Sequence, residues 1–144
     1  MTSKQYDFIK TMCCNIEEIF PTLSYDVTLF IACQSALETN YGTSDLCRLF
    51  KNYFGMRNPM SRPSTSKVWG NCQFEWANFN SCYSSIVDYF LCVAYRKPLA
   101  KELENLDLFK YFIKNWYCPE KDYIEKVSNI MSNFKSYKDE NRTK

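Results

Sequence analysis

Ser24-Tyr-Asp-Val-Thr-Leu-Phe-Ile-Ala-Cys-Gln-Ser-Ala-Leu-Glu-Thr-Asn-Tyr-Gly42 is the stretch on which the fold turns. Ser24 can cap a helix running from about Asp26 to Thr39, and Gly42 can end it. The middle, Val27 to Cys33, is apolar on every side, so this helix has no face to give to water and belongs at the centre of a domain. At seven residues the run is far short of the ~20 that a membrane span needs, and no membrane role is expected.

The segments on either side supply what would surround it. Phe8, Ile9, Met12, Cys13, Ile16 and Ile19 recur at threes and fours, which predicts an amphipathic helix over 4–19, closed by Pro21. Thr43-Ser44-Asp45 offers a cap for a short helix to about Phe50. Between Asn52 and Trp76 the periodicity fails at Gly55, Pro59, Pro63 and Gly70, which predicts a long loop with a short β-hairpin near 68–76. Helical spacing returns after Ser81 and stops before Pro98. It resumes over Leu103, Leu106, Phe109, Ile113 and Trp116, and again from 120 to 134 with Tyr123, Val127, Ile130, Met131 and Phe134 on the buried side. The expected architecture is mainly α (α+β), one domain over 1–134 with a polar tail over 135–144 that frays.

Composition agrees and narrows the chemistry. The chain has 144 residues, 46% of them apolar, with 11 Tyr, 11 Phe and 3 Trp but only 3 Gly and 5 Pro, as suits one helical domain with a substantial core. It contains no histidine, which removes Ser-His-Asp and Cys-His triads, His-ligated zinc and imidazole bases. Eight cysteines without a CxxC pair fall below the density of a disulfide scaffold and lack metal spacing, so most are read as reduced and structural, and neither metal nor cofactor is expected. A net charge of +2 is too mild for a nucleic-acid partner to be the default. One local excess stands out: 46–74 carries Arg48, Lys51, Arg57, Arg62 and Lys67 without an acid, and is read as solvated loop surface ahead of an anion-binding groove.

The chemical candidate is Glu38. It lies in the last turn of the central helix, where the negative end of the dipole and an apolar surround both disfavour its charge and raise its pKa. A carboxyl lifted from near 4.3 toward ~6 holds a useful proton near neutrality, as a general acid for glycosidic cleavage must. Gln34, one turn earlier, and Tyr41, about one turn later, are placed to line the same cleft. The plain alternative is a helix-end glutamate that merely faces water.

These residues add up to a family likeness. Gln34-Ser-Ala-Leu-Glu-Thr-Asn-Tyr-Gly-Thr-Ser44 followed by Asn52-Tyr-Phe-Gly-Met56 resembles the paired motifs of the glucosaminidase domain of glycoside hydrolase family 73. Trp76 to Tyr89 is similar to the family's aromatic segment leading into a helix, and Tyr117-Cys-Pro-Glu-Lys-Asp-Tyr-Ile-Glu-Lys-Val127 to its tyrosine-rich motif. The resemblance implies a lysozyme-like helical domain whose loop or hairpin lobe flanks a cleft. It implies hydrolysis of the β-1,4 bond after N-acetylglucosamine in peptidoglycan, with glycan strands as partner.

On that likeness Glu38 falls on the catalytic acid and Tyr117 on a functionally important tyrosine, while Asn52, Tyr53, Phe54 and Trp76 would shape the sugar cleft with Gln34 and Tyr41. Tyr123 is assigned to the core because its helix-face partners are apolar. Departures from the family pattern are Lys51, Ala77 and Cys118-Pro119. No acid occurs between Asp45 and Glu75, so Glu75 is the one candidate in the lobe for a second catalytic carboxylate. Without it, the substrate's N-acetyl group can serve as nucleophile, and this course is preferred because it asks for one enzyme carboxylate. A lytic transglycosylase or muramidase on the same fold, or a non-catalytic glycan-binding module, are the alternatives. A monomer is expected. The absence of a signal peptide and of wall-binding repeats points to a protein made in the cytoplasm that acts on the bacterial wall, as a bacteriophage lysis or virion-associated enzyme would, ahead of a bacterial enzyme secreted by another route.

Overall fold

The computed structural model describes residues 1–142, and these form seven helices. They are α1 (Ser3–Ile19), α2 (Tyr25–Thr39), α3 (Asp45–Phe50), α4 (Cys82–Tyr95), α5 (Ala100–Glu104), α6 (Leu106–Trp116) and α7 (Tyr123–Asn141). Helix α2 is the axis: Val27 through Ala36 are all buried, and α1, α6 and α7 pack around it. Side-chain oxygens begin the helices, with Thr2 accepting from Gln5 N–H at α1, Ser24 from Val27 at α2, Ser44 from Cys47 at α3 and Ser81 from Ser84 at α4. Each satisfies an N–H that the first turn leaves without a partner.

The structure departs from the sequence expectations in three places. The single helix expected through 103–116 is split, because the Asn105 side chain accepts from Leu108 N–H and so starts a new helix where the old one stops. Trp116, counted on its buried side, is exposed at its end. The polar stretch expected to fray continues as helix to Asn141, because Phe134 and Tyr137 stack on Tyr6 of α1 at 4.8 and 4.9 Å and Lys135 faces Asp26 at 3.6 Å. Positions 143 and 144 of that stretch lie outside the described residues.

The third departure is the lobe between α3 and α4. Among the described residues it has no hairpin over 68–76, only turns and one isolated bridge, Arg57 with Trp76. Asparagines replace a strand ladder. The Asn52 amide donates to the carbonyls of Met56 and Ala77 at 2.8 and 3.0 Å, while its oxygen accepts from Met56 N–H at 2.9 Å. The Asn58 amide donates to the carbonyls of Val68, Asn71 and Phe74 at 3.0, 3.1 and 3.3 Å. Once one side chain gathers three carbonyls, the backbone between them turns instead of extending.

A buried ion pair bolts the lobe to the helices. Arg62 reaches Asp88 of α4 through two nitrogens at 2.9 and 3.1 Å, and Ser64 donates to the same carboxylate at 2.6 Å. The local excess of positive charge is thus largely matched: Arg62 by Asp88, Arg57 by Glu75, Arg48 by Asp45, with the Lys51 ammonium on the Asn80 carbonyl at 3.1 Å. The lobe presents no continuous cationic groove of the kind weighed for an anionic polymer. Among the described residues no helix is long and apolar enough to cross a membrane.

Candidate active site

Glu38 stands at the C-terminal end of α2, where the chain turns into the left-handed residues Asn40, Tyr41 and Gly42. Its carboxylate lies in a cleft of about 290 Å³ between the lobe and the helices. Phe54, Gly55, Met56 and Arg57 form the lobe wall, and Cys92 and Arg96 of α4 with Trp116, Tyr117 and Cys118 form the other. Gly55 is there for space: a β-carbon on it would sit 3.2 Å from Glu38 Oε2, on a backbone with φ of +61°. Only glycine lets the lobe approach the carboxylate this closely without strain.

The carboxyl is reached by solvent from the cleft, yet burial by the surrounding atoms raises its pKa above the ordinary value. A hydrogen bond from the Tyr123 hydroxyl opposes that rise, and the charge of nearby Glu120 adds to it. Burial is the largest of these effects, in line with the apolar surround expected at this position. Among the described residues Glu38 is the one acid lining this cleft.

Behind the carboxylate runs a directed chain of hydrogen bonds. The Tyr89 hydroxyl donates to Gln34 Oε1 at 2.6 Å, and Gln34 Nε2 donates to the Tyr123 oxygen at 3.1 Å. The Tyr123 hydroxyl then has its own hydrogen free for Glu38. Gln34 is fully buried, so the expectation that it lines the cleft is corrected: it orients the tyrosine that holds the carboxylate. Tyr123, assigned to the core, does pack there with 2% exposure, but its hydroxyl belongs to the site. Apolar periodicity locates a tyrosine's ring and says nothing about its oxygen.

The other expected residues divide. Tyr117 lines the cleft across from the lobe, half-buried, with its ring 5.5 Å from that of Tyr89 and its hydroxyl donating to Met56 Sδ at 3.6 Å. Burial pushes that phenol's pKa well up, so the hydroxyl keeps its proton and acts as a donor. Phe54 contributes to the wall although it is almost fully buried. Asn52 is fully buried and spends its amide on the lobe backbone, which corrects its reading as a sugar contact.

Tyr41 and Tyr53 are likewise corrected, since they line a different hollow, on the α1 side of the molecule. Glu75 does not line the cleft: its carboxylate pairs with Arg57 at the lobe rim and stays largely exposed. Trp76 lies beneath the Arg57 guanidinium, 4.9 Å from ring centre to Cζ, so both reach the cleft only through Arg57. Trp116, read from the sequence only as part of a helix's apolar spacing, and Arg96, not named there, also line the cleft; a Trp directly before Tyr117 was the available signal.

A carboxyl whose pKa burial raises, facing a trough with an exposed tryptophan and hydroxyl donors on a helical scaffold, defines a site of the glycoside-hydrolase class. The chain belongs to the glucosaminidase family, whose model, described as mannosyl-glycoprotein endo-β-N-acetylglucosaminidase, matches residues 25–136. It is a glycoside hydrolase of the endo-β-N-acetylglucosaminidase type. Two solved structures share the fold at low identity. One is a chain of a type VI secretion system effector–immunity complex from Pseudomonas protegens, 15% identical over 94% of this chain and 94% of that one, with a TM-score of 0.64. The other is the catalytic domain of the autolysin Auto from Listeria monocytogenes, 16% identical over 94% and 86%, also at 0.64. No curated protein matches the chain by sequence.

Proposed function

We propose that the protein cuts peptidoglycan at the β-1,4 bond after N-acetylglucosamine, with Glu38 as general acid. The observation that carries the reading is a carboxylate whose pKa is raised mainly by burial, held by Tyr123 and open to a cleft that it lines without a second acid. The autolysin likeness favours bacterial wall glycan as the polymer.

A single acid suits a substrate-assisted course. Glu38 gives its proton to the glycosidic oxygen as the C1–O bond breaks, and the substrate's acetamido oxygen bonds to C1 as an oxazolinium ion that keeps its N–H. Water, losing a proton to Glu38, then attacks C1, the C1–oxygen bond of the oxazolinium opens, and the configuration is retained. In this reading the Tyr117 hydroxyl turns from Met56 to the acetamido group, Trp116 stacks on a sugar face and Arg57 and Arg96 donate to hydroxyl or carbonyl oxygens. Glu75 sets the position of Arg57 and takes no part in proton transfer.

The test is mass analysis of purified sacculi after digestion by wild type and Glu38→Gln. Fragments with N-acetylglucosamine at the reducing end are expected from wild type and none from the variant. Anhydromuramic ends would show a transglycosylase, muramic reducing ends a muramidase, and full activity of the variant would reject the assignment.

A further inference from the structure

The protein has a second hollow besides the cleft of Glu38. It measures about 420 Å³, within the ~300–1,000 Å³ usual for ligand pockets, and lies between α1 and the turn that ends α2. Its floor is aromatic. Phe8 stacks with Tyr53 at 6.4 Å and meets Tyr41 edge-on at 6.4 Å. One stripe of α1, spaced at threes and fours, forms the rim with Lys4, Asp7, Thr11 and Asn15.

The floor is built at a backbone cost. Asn40, Tyr41 and Gly42 are consecutive left-handed residues with φ of 48°, 56° and 80°. Asparagine and glycine adopt this conformation readily, whereas for tyrosine it costs about 1–2 kcal/mol. Gly42 has no alternative, since a β-carbon there would come within 2.8 Å of the Phe8 ring. Thr39 Oγ1 holds the turn, accepting from Gly42 N–H at 2.8 Å and donating to the Ser35 carbonyl at 2.7 Å. The strain sets the Tyr41 ring against Phe8 rather than in the cleft three residues away.

We propose that this hollow is a second sugar-binding site, taking a neutral N-acetylated pyranose of the wall glycan; the ligand class rests on the function proposed above. Aromatic faces suit the C–H face of a pyranose, and an ammonium, a carboxylate, a hydroxyl and an amide supply donors and acceptors for its hydroxyl and acetamido groups. Lys4 and Asp7 carry opposite charges one helical turn apart, so the rim favours neither an anionic nor a cationic ligand. Tyr53 faces this hollow while its neighbours Phe54 and Gly55 face the cleft, so one short segment separates the two sites. Glycan held here keeps the enzyme on an insoluble wall between cuts.

Two measurements test the proposal. In NMR titration of Glu38→Gln with N-acetylglucosamine trimer, amide shifts are expected at Lys4, Phe8, Thr11 and Tyr53 as a set separate from those around Glu38. Thr11 is exposed on α1, so Thr11→Arg reaches over the hollow without touching the core. That change should abolish the first set of shifts. It should also lower sacculus hydrolysis about tenfold, a modest share of the ~10²–10⁴ that bivalent attachment can supply, and leave cleavage of a soluble wall tetrasaccharide within about twofold of wild type. Shifts confined to the cleft, shifts that survive Thr11→Arg, or equal loss on both substrates would overturn the second site. If wild type cleaves neither substrate, the proposed function fails, and the titration still decides whether the hollow takes sugar.

Discussion

Glu38 serves two opposed demands, since the burial that keeps its proton also makes its charged form costly. A general acid is active below its own pKa, so hydrolysis should fall as pH rises through the raised value, at higher pH than for an ordinary glutamate. Tyr123 pulls the other way by stabilising the carboxylate. Tyr123→Phe is therefore expected to move the alkaline limb of the kcat/KM profile upward, whereas a loss of rate without movement of that limb would assign Tyr123 to packing alone. Glu38→Gln should lower turnover by about 10²–10⁴, the contribution of positioned proton transfer, and keep the fold. Its stability has a definite sign. A carboxyl whose folded pKa is raised costs stability once pH exceeds its unfolded value, so the variant should melt at or above the wild-type temperature at pH 7 and lose any such advantage near pH 3. At Gly55 a methyl group would meet the carboxylate on a left-handed backbone. Gly55→Ala is expected to cut kcat more than it lowers the melting temperature, as kinetics and calorimetry on one preparation would show.

Elements set how firmly those residues are held. The lobe carrying Phe54 to Arg57 has no sheet to stiffen it and depends on the asparagine clamps and on Arg62 with Asp88, whose side chains are 7% and 0% exposed. Removing one partner leaves the other charged, buried and unpaired, which costs about 3–5 kcal/mol. Arg62→Met should therefore lower stability by that amount in urea unfolding and loosen the cleft, although Arg62 does not line it. A change under ~1 kcal/mol would mean that water enters and solvates Asp88. The neutral Asp88→Asn variant separates charge from shape, since it keeps the volume but leaves Arg62 without its anion.

At the scale of the molecule, all eight thiols are free and their placement ranks their reactivity. Cys14 and Cys72 are exposed, whereas Cys33 is fully buried and Cys13 nearly so, and burial pushes the Cys13 thiol up to about 12. A thiol reagent at pH 8 is expected to modify Cys14 and Cys72 first, with Cys13 and Cys33 reacting only on unfolding; peptide mapping by mass spectrometry reads the order. The helices other than α5 announced themselves through local signals: a Ser, Thr or Asn cap, a three-and-four apolar spacing, or a Gly or Pro stop. The acid at the end of an all-apolar helix was equally local, so the position of Glu38 and most of the helical framework were legible from order alone. The direction of a side chain was not. Gln34, Asn52, Tyr41 and Tyr53 have residue types and spacings as suited to sugar as those of Trp116 and Arg57, and the packing of α1, α4 and the lobe decided between them. Burial turned Gln34 and Asn52 inward, a left-handed turn carried Tyr41 to the far side, and the Tyr123 hydroxyl found Glu38 because Gln34, distant in sequence, met it at 3.1 Å. Periodicity acts between neighbours along the chain, whereas the hydrogen bonds and charges that build a site join residues whose separation only the folded chain closes.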